Sequence, residues 1–284
     1  LNEGIMNKVL FICVVYATQP EKTITLNSLA NIKLEKNNII ASFAIWDNSQ
    51  EGYESEAVKT MLKNHQVDVY HYGVNERLSK VYNQLIAKYK SSNDWVVILD
   101  DDSVIDDEYI QGVLNFIEAC SKNKALIVAF PKIYNNNIMI SPGYIKGVRG
   151  YLIQDIQHGM VSKKNIVAMM SGTVISLESN VELPRFDERL SFYGVDTKFF
   201  LDIDDVNGGK YILPSLLEHN SALRNPAIKN TEYCARLINL FSARKVIFEN
   251  VPFNQIRLFI YKLLVTIKLM ITRRSLVYLK LLFA

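Results

Sequence analysis

Three unbroken runs of apolar, largely β-branched residues mark the first hundred positions of this chain: VLFICVVY at 9–16, IIASFAIW at 39–46 and WVVIL at 95–99. A strand with one wet face alternates polar and apolar residues, so an unbroken run means cover on both faces, as in a parallel sheet. Residues 67–72 add a further strand. Between the strands, residues 22–34, 54–63 and 78–89 read as helices, the last with apolar positions at 78, 81, 82, 85 and 86. Strands alternating with helices predict an α/β fold with a mixed, mainly parallel sheet flanked by helices. The second half is less regular. Residues 126–130 and 165–177 read as strands, 193–203 as helix and 210–213 as a short strand before Pro214. Residues 141–151 read as a loop, because Pro142, Gly143, Gly147 and Gly150 interrupt them.

Ligands of such sheets bind beyond the carboxyl ends of the strands. Two strands here end in acids, at Asp47-Asn48-Ser49 and at Asp100-Asp101-Asp102-Ser103. From Asp94 to Glu108 there are seven acids and no base. Adjacent carboxylates repel one another, and hard oxygen donors of this kind suit Mg²⁺ or Mn²⁺ shared with a substrate phosphate. A solvated loop capping the helix that starts near Tyr109 is the plainer alternative. No G-x-G-x-x-G and no Walker A sequence occurs, so a glycine-rich phosphate cradle is excluded.

The order of these features resembles the GT-A glycosyltransferases of family 2, in particular the bacterial rhamnosyltransferase-like members. The resemblance rests on Val14-Val15-Tyr16, Asp47-Asn48-Ser49, Asn75 and Asn83 in GVNERLSKVYN at 73–83, the Asp100–Asp102 motif, Met170-Ser171-Gly172-Thr173, FDERLSFYGVDTKFF at 186–200 and LEHNS around His219. It covers residues 8–222 and implies a GT-A catalytic domain there, followed by a helical extension over 223–284. Ala17 departs from the pattern where Asn is common after the Tyr, and Arg77 where Gly is usual.

What the resemblance implies is an inverting transfer from a nucleotide diphosphate sugar to a hydroxyl of a lipid-linked or cell-surface glycan, as in O-antigen or capsule synthesis. Tyr16, Asp47, Asn75, Arg77, Asn83, Asp100 and Asp101 would bind the donor. Asp100, Asp102 and His219 would hold Mn²⁺ or Mg²⁺, Ser171 and Gly172 would lie on the acceptor side, and Asp196 would be the general base. Each assignment has a structural alternative. Asp196 could cap a helix, Asp47-Asn48-Ser49 could be a turn, and His219 could pair with Glu218. His65, His71 and His158 read as structural. A sugar nucleotidyltransferase would need a Gly-rich, Arg- and Lys-bearing loop where Ala17-Thr18-Gln19-Pro20 stands. A non-catalytic nucleotide-sugar-binding relative is the third reading.

The net charge of +3 hides an asymmetry. Residues 254–284 hold six cations and no acid, while the rest of the chain has 26 Lys and Arg against 29 Asp and Glu. A positive tail on an acidic body is not a nucleic-acid footprint, so no nucleic acid is expected. From 254 onward, Phe259, Ile260, Leu263, Leu264, Ile267, Met270 and Ile271 fall on one helical face, with Arg257, Lys262, Lys268, Arg273 and Lys280 opposite. Either a membrane surface or protein, including a homodimer partner, would cover that face. Three scattered cysteines and the lack of a leader-like start at Leu1–Asn7 suggest a cytoplasmic enzyme, peripheral on the inner face of the plasma membrane.

Overall fold

A computed structural model describes residues 6–53, 55–218 and 228–283. The first half follows the predicted alternation: β1 (Asn7–Val15), α1 (Ile24–Ala30), β2 (Ile39–Asp47), α2 (Glu56–Met61), β3 (Gln66–His71), α3 (Leu78–Tyr89), β4 (Trp95–Leu99) and α4 (Asp107–Lys122). The predicted helix at 22–34 is shorter than expected. Thr23 caps α1 by accepting from the Leu26 amide, and 3₁₀ turns flank the helix at Pro20–Lys22 and Leu34–Asn37.

The unbroken apolar runs are explained by what lies on each side. Val9, Phe11, Cys13, Phe43, Ile45, Val97 and Leu99 face a layer built by α1, α2 and α4. Leu10, Ile12, Ala44, Trp46, Val96 and Ile98 face α3 and helices from the second half. Successive side chains alternate between two dry layers, the exceptions being Ile40, which is exposed, and Ser42, which is buried but donates to Asn93. In register, Val15 lies beside Asp47 and Cys13 beside Leu99, all in parallel strands. The carboxyl ends of β1, β2 and β4 therefore share one rim.

The second half comprises β5 (Leu126–Asn135), β6 (Ile138–Ser141), β7 (Gly143–Lys146), β8 (Arg149–Leu152), β9 (Gly159–Val161), β10 (Ile166–Val167), β11 (Thr173–Ser176), α5 (Val195–Asp205), β12 (Gly209–Glu218), α6 (Asn230–Ile247) and α7 (Asn254–Thr272), ending in 3₁₀ turns at Leu276–Phe283. Among the described residues the main sheet runs β3-β2-β1-β4-β11-β5-β12-β9, with β6 on β5, and a second sheet runs β10-β7-β8. β11 is antiparallel to both neighbours, which makes the sheet mixed but mainly parallel.

Three expectations change. Residues 141–151 form the β7–β8 hairpin, not a loop. Gly147 supplies the positive φ of its turn, and Gly143 leaves room for the Tyr151 carbonyl, which would lie 2.7 Å from a Cβ. Residues 165–177 are two strands, split by a turn in which Gly172 has a φ of 75°. β12 runs on past Pro214, with its pairing to β5 irregular between Ile212 and Leu216, where the proline has no amide to donate. At the C-terminus, Ala243, Ile247, Phe248 and Leu258 join the main core, while α6, α7 and the last turns close a smaller cluster around Cys234, Phe241, Tyr278 and Leu281.

Candidate active site

The Asp100-Asp101-Asp102 loop leaves β4 on the shared rim, and hydroxyl groups hold its backbone. Thr25 Oγ1, fully buried in α1, lies 2.7 Å from the Asp100 carbonyl and 2.9 Å from both the carbonyl and the amide of Ser103. Ser28 Oγ accepts from the Ile105 amide at 3.0 Å. On the other side, Ser171 Oγ accepts from the Asp100 amide at 3.2 Å and lies 2.8 Å from Ser103 Oγ. Tyr109 donates to the Gly172 carbonyl at 2.9 Å, and the Gly172 amide donates to Ile98. Ser171 is 1% exposed. Its hydroxyl acts on the carboxylate loop from behind, although the sequence suggests an acceptor-side residue. Thr25, Ser28 and Ser103 carry no local signal, because each finds its partner some seventy-five residues away along the chain.

The three carboxylates are half-buried. Their charge reaches inward: burial pushes the Cys13 thiol well up, and Asp101, Asp100 and Asp102 push it the same way. Asp106, next along, is a helix cap and accepts from the Tyr109 amide at 2.8 Å.

Tyr16 follows β1 with 57% exposure, open to a ligand. The following Ala17 has a φ of 53° and donates its amide to Ser49 Oγ at 2.9 Å. Asn at this position would enter the left-handed region more easily than Ala, so the departure from the family pattern falls where it costs backbone strain. Asp47 is 1% exposed. One oxygen accepts from the Ser49 amide at 3.0 Å, and the other lies 3.3 Å from the Tyr53 amide and 3.3 Å from His71 Nδ1. Asp47 thus orders its own turn and gathers His71. Asn48 is the lock of this corner. Its Oδ1 accepts from Trp46 Nε1 and from the Glu76 amide, and its Nδ2 donates to Asn75 Oδ1 and the Glu76 carbonyl. Asn75 itself is exposed above the rim.

Arg77 and Asn83 both reach the segment that leads to Asp196. Arg77 Nη1 donates to the Glu188 carbonyl at 2.8 Å. Asn83 donates to the Phe186 carbonyl and to Glu188 Oε1, and accepts from the Phe186 amide. Ser79 donates to the Leu190 carbonyl, and the Leu78 amide to Ser191. One side of α3 is therefore a clamp for residues 186–191. Arg189 fastens the same segment to the turn after α6, bridging Asp187 and Glu249 at 2.6 Å each.

That segment ends at Gly194, the residue before α5. It has a φ of 81°, and a Cβ there would lie 2.5 Å from Ile247 of α6. Gly194, not Asp196, takes the cap position, and Asp196 instead serves the first turn of the helix. Asp196 sits in the first turn, where Oδ1 accepts from the Thr197 amide at 2.6 Å and from its hydroxyl at 3.3 Å. Asp196 as a residue is half-buried and densely surrounded by protein. Burial pushes it above the ordinary carboxylate range, against the pull of the Thr197 hydrogen bonds. Tyr82, wholly buried, registers both ends of the site: burial pushes its phenol well up, and the charges of Asp100 and then Asp196 add to the shift. His219, the expected third metal ligand, lies outside the described residues.

The carboxylates on the rim that could hold a divalent ion are those of Asp100, Asp101 and Asp102. Among the described residues no three His, Cys, Asp or Glu side chains gather as a closed metal cage. Mg²⁺ and Mn²⁺ do not need one, since one or two carboxylates with substrate phosphates suffice.

The fold is that of solved GT-A glycosyltransferases. GalNAc-T7, solved with UDP, GalNAc and Mn²⁺, superposes with a TM-score of 0.58 at 16% identity over 87% of this chain, which spans 51% of that protein's length. A mannosyltransferase from Pyrobaculum calidifontis, in complex with GDP-Man and Mn²⁺, gives 0.54 at 10% identity, covering 89% of this chain and 70% of its own. TarS residues 1–349 from S. aureus gives 0.51 at 14% identity, covering 84% and 72%. No curated protein matches in sequence. The profile of glycosyl transferase family 2 matches residues 12–165, more than half of the chain. With its carboxylate loop at the end of β4 inside that match, the chain belongs to glycosyl transferase family 2.

Proposed function

We propose that this protein transfers a sugar, with inversion, from a nucleotide diphosphate sugar to a hydroxyl of a lipid-linked or cell-surface glycan, at the cytoplasmic face of a membrane. The observation that carries the reading is the clamped triple-carboxylate loop at the carboxyl end of β4, inside the residues that match the family. A single half-buried acid, Asp196, opens α5.

The roles follow from those environments. Asp100 and Asp102 would hold Mn²⁺ or Mg²⁺, which when bound offsets the negative charge that builds on the departing diphosphate. Tyr16 and the Asn48-locked corner of Asn75 would border the nucleotide, and Asp47 keeps that corner in shape. Asp196 would take the proton of the attacking hydroxyl. Burial raises its affinity for a proton above that of a surface carboxylate, which suits a general base. One displacement on the face opposite the leaving group inverts the anomeric centre.

Nucleotide diphosphate release from a panel of nucleotide sugars, with and without Mn²⁺, tests this reading. Asp102→Asn is expected to abolish the metal dependence, and Asp196→Asn to abolish transfer while nucleotide binding persists. Undiminished transfer by Asp196→Asn removes it as the base.

A further inference from the structure

Helix α7 has two apolar faces. One is used by the protein: Leu258 enters the main core, and Tyr261, Val265, Leu269 and Met270 pack with α6 and the last turns. The other faces solvent. Ile256, Ile260, Leu264, Ile267 and Ile271 are 61%, 49%, 59%, 47% and 70% exposed. Their spacings of four, four, three and four residues place them in one stripe, on the side away from the packed face.

The charges that residues 254–284 place around this stripe are of one sign. Arg257 and Lys268 lie exposed along one border, and Arg274 and Lys280 are exposed beyond the end of the helix. Lys262 and Arg273 turn inward instead. Lys262 reaches the Leu282 carbonyl, while Arg273 donates to the Ile228 carbonyl and stacks 4.4 Å over Tyr233. The sequence pattern set Arg257, Lys262, Lys268, Arg273 and Lys280 opposite one apolar face, with Arg274 intruding on it. Packing divides them into two used inside and four left at the surface. No acid occurs from 254 to 284.

We propose that this face of α7 lies on the surface of an anionic lipid bilayer. Burial of the isoleucine and leucine stripe among acyl chains supplies the attraction, and the bordering cations meet lipid phosphates. Charge complementarity chooses this occupant over a second copy of the chain. Two such faces packed about a two-fold axis would bring Arg257, Lys268, Arg274 and Lys280 of both copies together, with no acid from 254 to 284 to offset them. Among the described residues no helix is long and apolar enough to cross a membrane, so α7 lies in the interface plane. Its first turn touches the β7–β8 hairpin, where Arg257 reaches the Gly147 turn, so bilayer contact would hold that hairpin at the lipid surface.

The test uses the full chain and reads binding, not turnover, so its outcome is independent of the transferase reading. Sedimentation with vesicles of phosphatidylcholine alone is compared with vesicles containing phosphatidylglycerol, at low and high salt. Binding to the anionic vesicles only, weakened by salt, is expected. Arg257→Gln with Lys268→Gln is expected to lower partitioning about fivefold per cation. The triple variant Ile256→Ser, Leu264→Ser, Ile271→Ser is expected to lower it about 100-fold or more. These side chains project into solvent, so an unchanged melting temperature shows that the variants are folded. Equal partitioning of wild type and the folded triple variant overturns the proposal. So does an absence of vesicle binding, including the case where sedimentation equilibrium finds a dimer that the triple variant dissociates.

Discussion

Thr25→Val tests whether the carboxylate loop is held from outside its own sequence. Valine keeps the shape of threonine and removes only the hydroxyl. In the wild type that oxygen accepts from the Ser103 amide at 2.9 Å and shares its proton between the Asp100 and Ser103 carbonyls at 2.7 and 2.9 Å. Both Thr25 and Ser103 are fully buried, so water cannot replace what is lost. Two hydrogen bonds at about 1 kcal/mol each, with an orphaned buried amide at about 1–3 kcal/mol partly overlapping them, give a loss of about 2–4 kcal/mol. At roughly 2–4 °C per kcal/mol for a domain near this size, the melting temperature should fall by about 4–16 °C. The functional effect follows from which loop moves. With Asp100 released on one side, half-saturation by Mn²⁺ should rise about tenfold, the lower end for loss of an outer-shell partner. Calorimetric melting and Mn²⁺ titration of nucleotide release measure the two effects, and Thr25→Ser, which keeps the hydroxyl, should retain both properties. A Thr25→Val protein that melts within about 1 °C of wild type would refute the hydrogen-bond argument. One that melts lower but keeps its Mn²⁺ dependence would separate Thr25 from the metal loop.

The other predictions come from single contacts. Because burial raises Asp196, its protonated form favours folding: that stability is full below the unfolded carboxylate range and is lost as pH rises through the folded value. Asp196→Asn should therefore melt higher than wild type at neutral pH, with the difference closing in acid, even as activity disappears. Lys210, 2% exposed, donates to Asp204 Oδ2 at 2.8 Å and to the Ile166 carbonyl at 2.7 Å. Asp204→Leu should cost about 3–5 kcal/mol by stranding the ammonium, and adding Lys210→Met should recover most of it in denaturant melts. Gly194→Ala would set a methyl 2.5 Å from Ile247 Cδ1 at a positive φ. A loss of about 1–3 kcal/mol is expected, reduced when Ile247→Ala is combined with it, and a neutral effect would show that α6 does not hold the start of α5.

Much of the site was legible because the chemistry of a strand end is local. The acids after β2 and β4 could be placed on one rim from the apolar runs alone, since parallel strands put all their carboxyl ends together. The order of motifs also carried the family. What the motifs do to one another was not legible. Arg77 and Asn83 looked like donor-binding residues, yet their hydrogen bonds go to residues 186–188, over a hundred positions away. Ser171 looked acceptor-facing, and its hydroxyl points into the back of the Asp100 loop. The β7–β8 hairpin was hidden because its glycines, which read as loop residues, leave room for a close backbone and a tight turn.

Period, run length and charge are properties of neighbours along the chain, so the layered α/β sheet, the rim of acids and the apolar, acid-free tail can be read from residue order. Packing alone reveals that α6 lies against Gly194, that Thr25 and Ser171 hold the carboxylate loop from two sides, and that α7 has one face spent and one face open. Burial and hydrogen bonding join residues distant in the chain. A helix apolar on both sides reads as a single pattern until its neighbours take one side and leave the other to solvent.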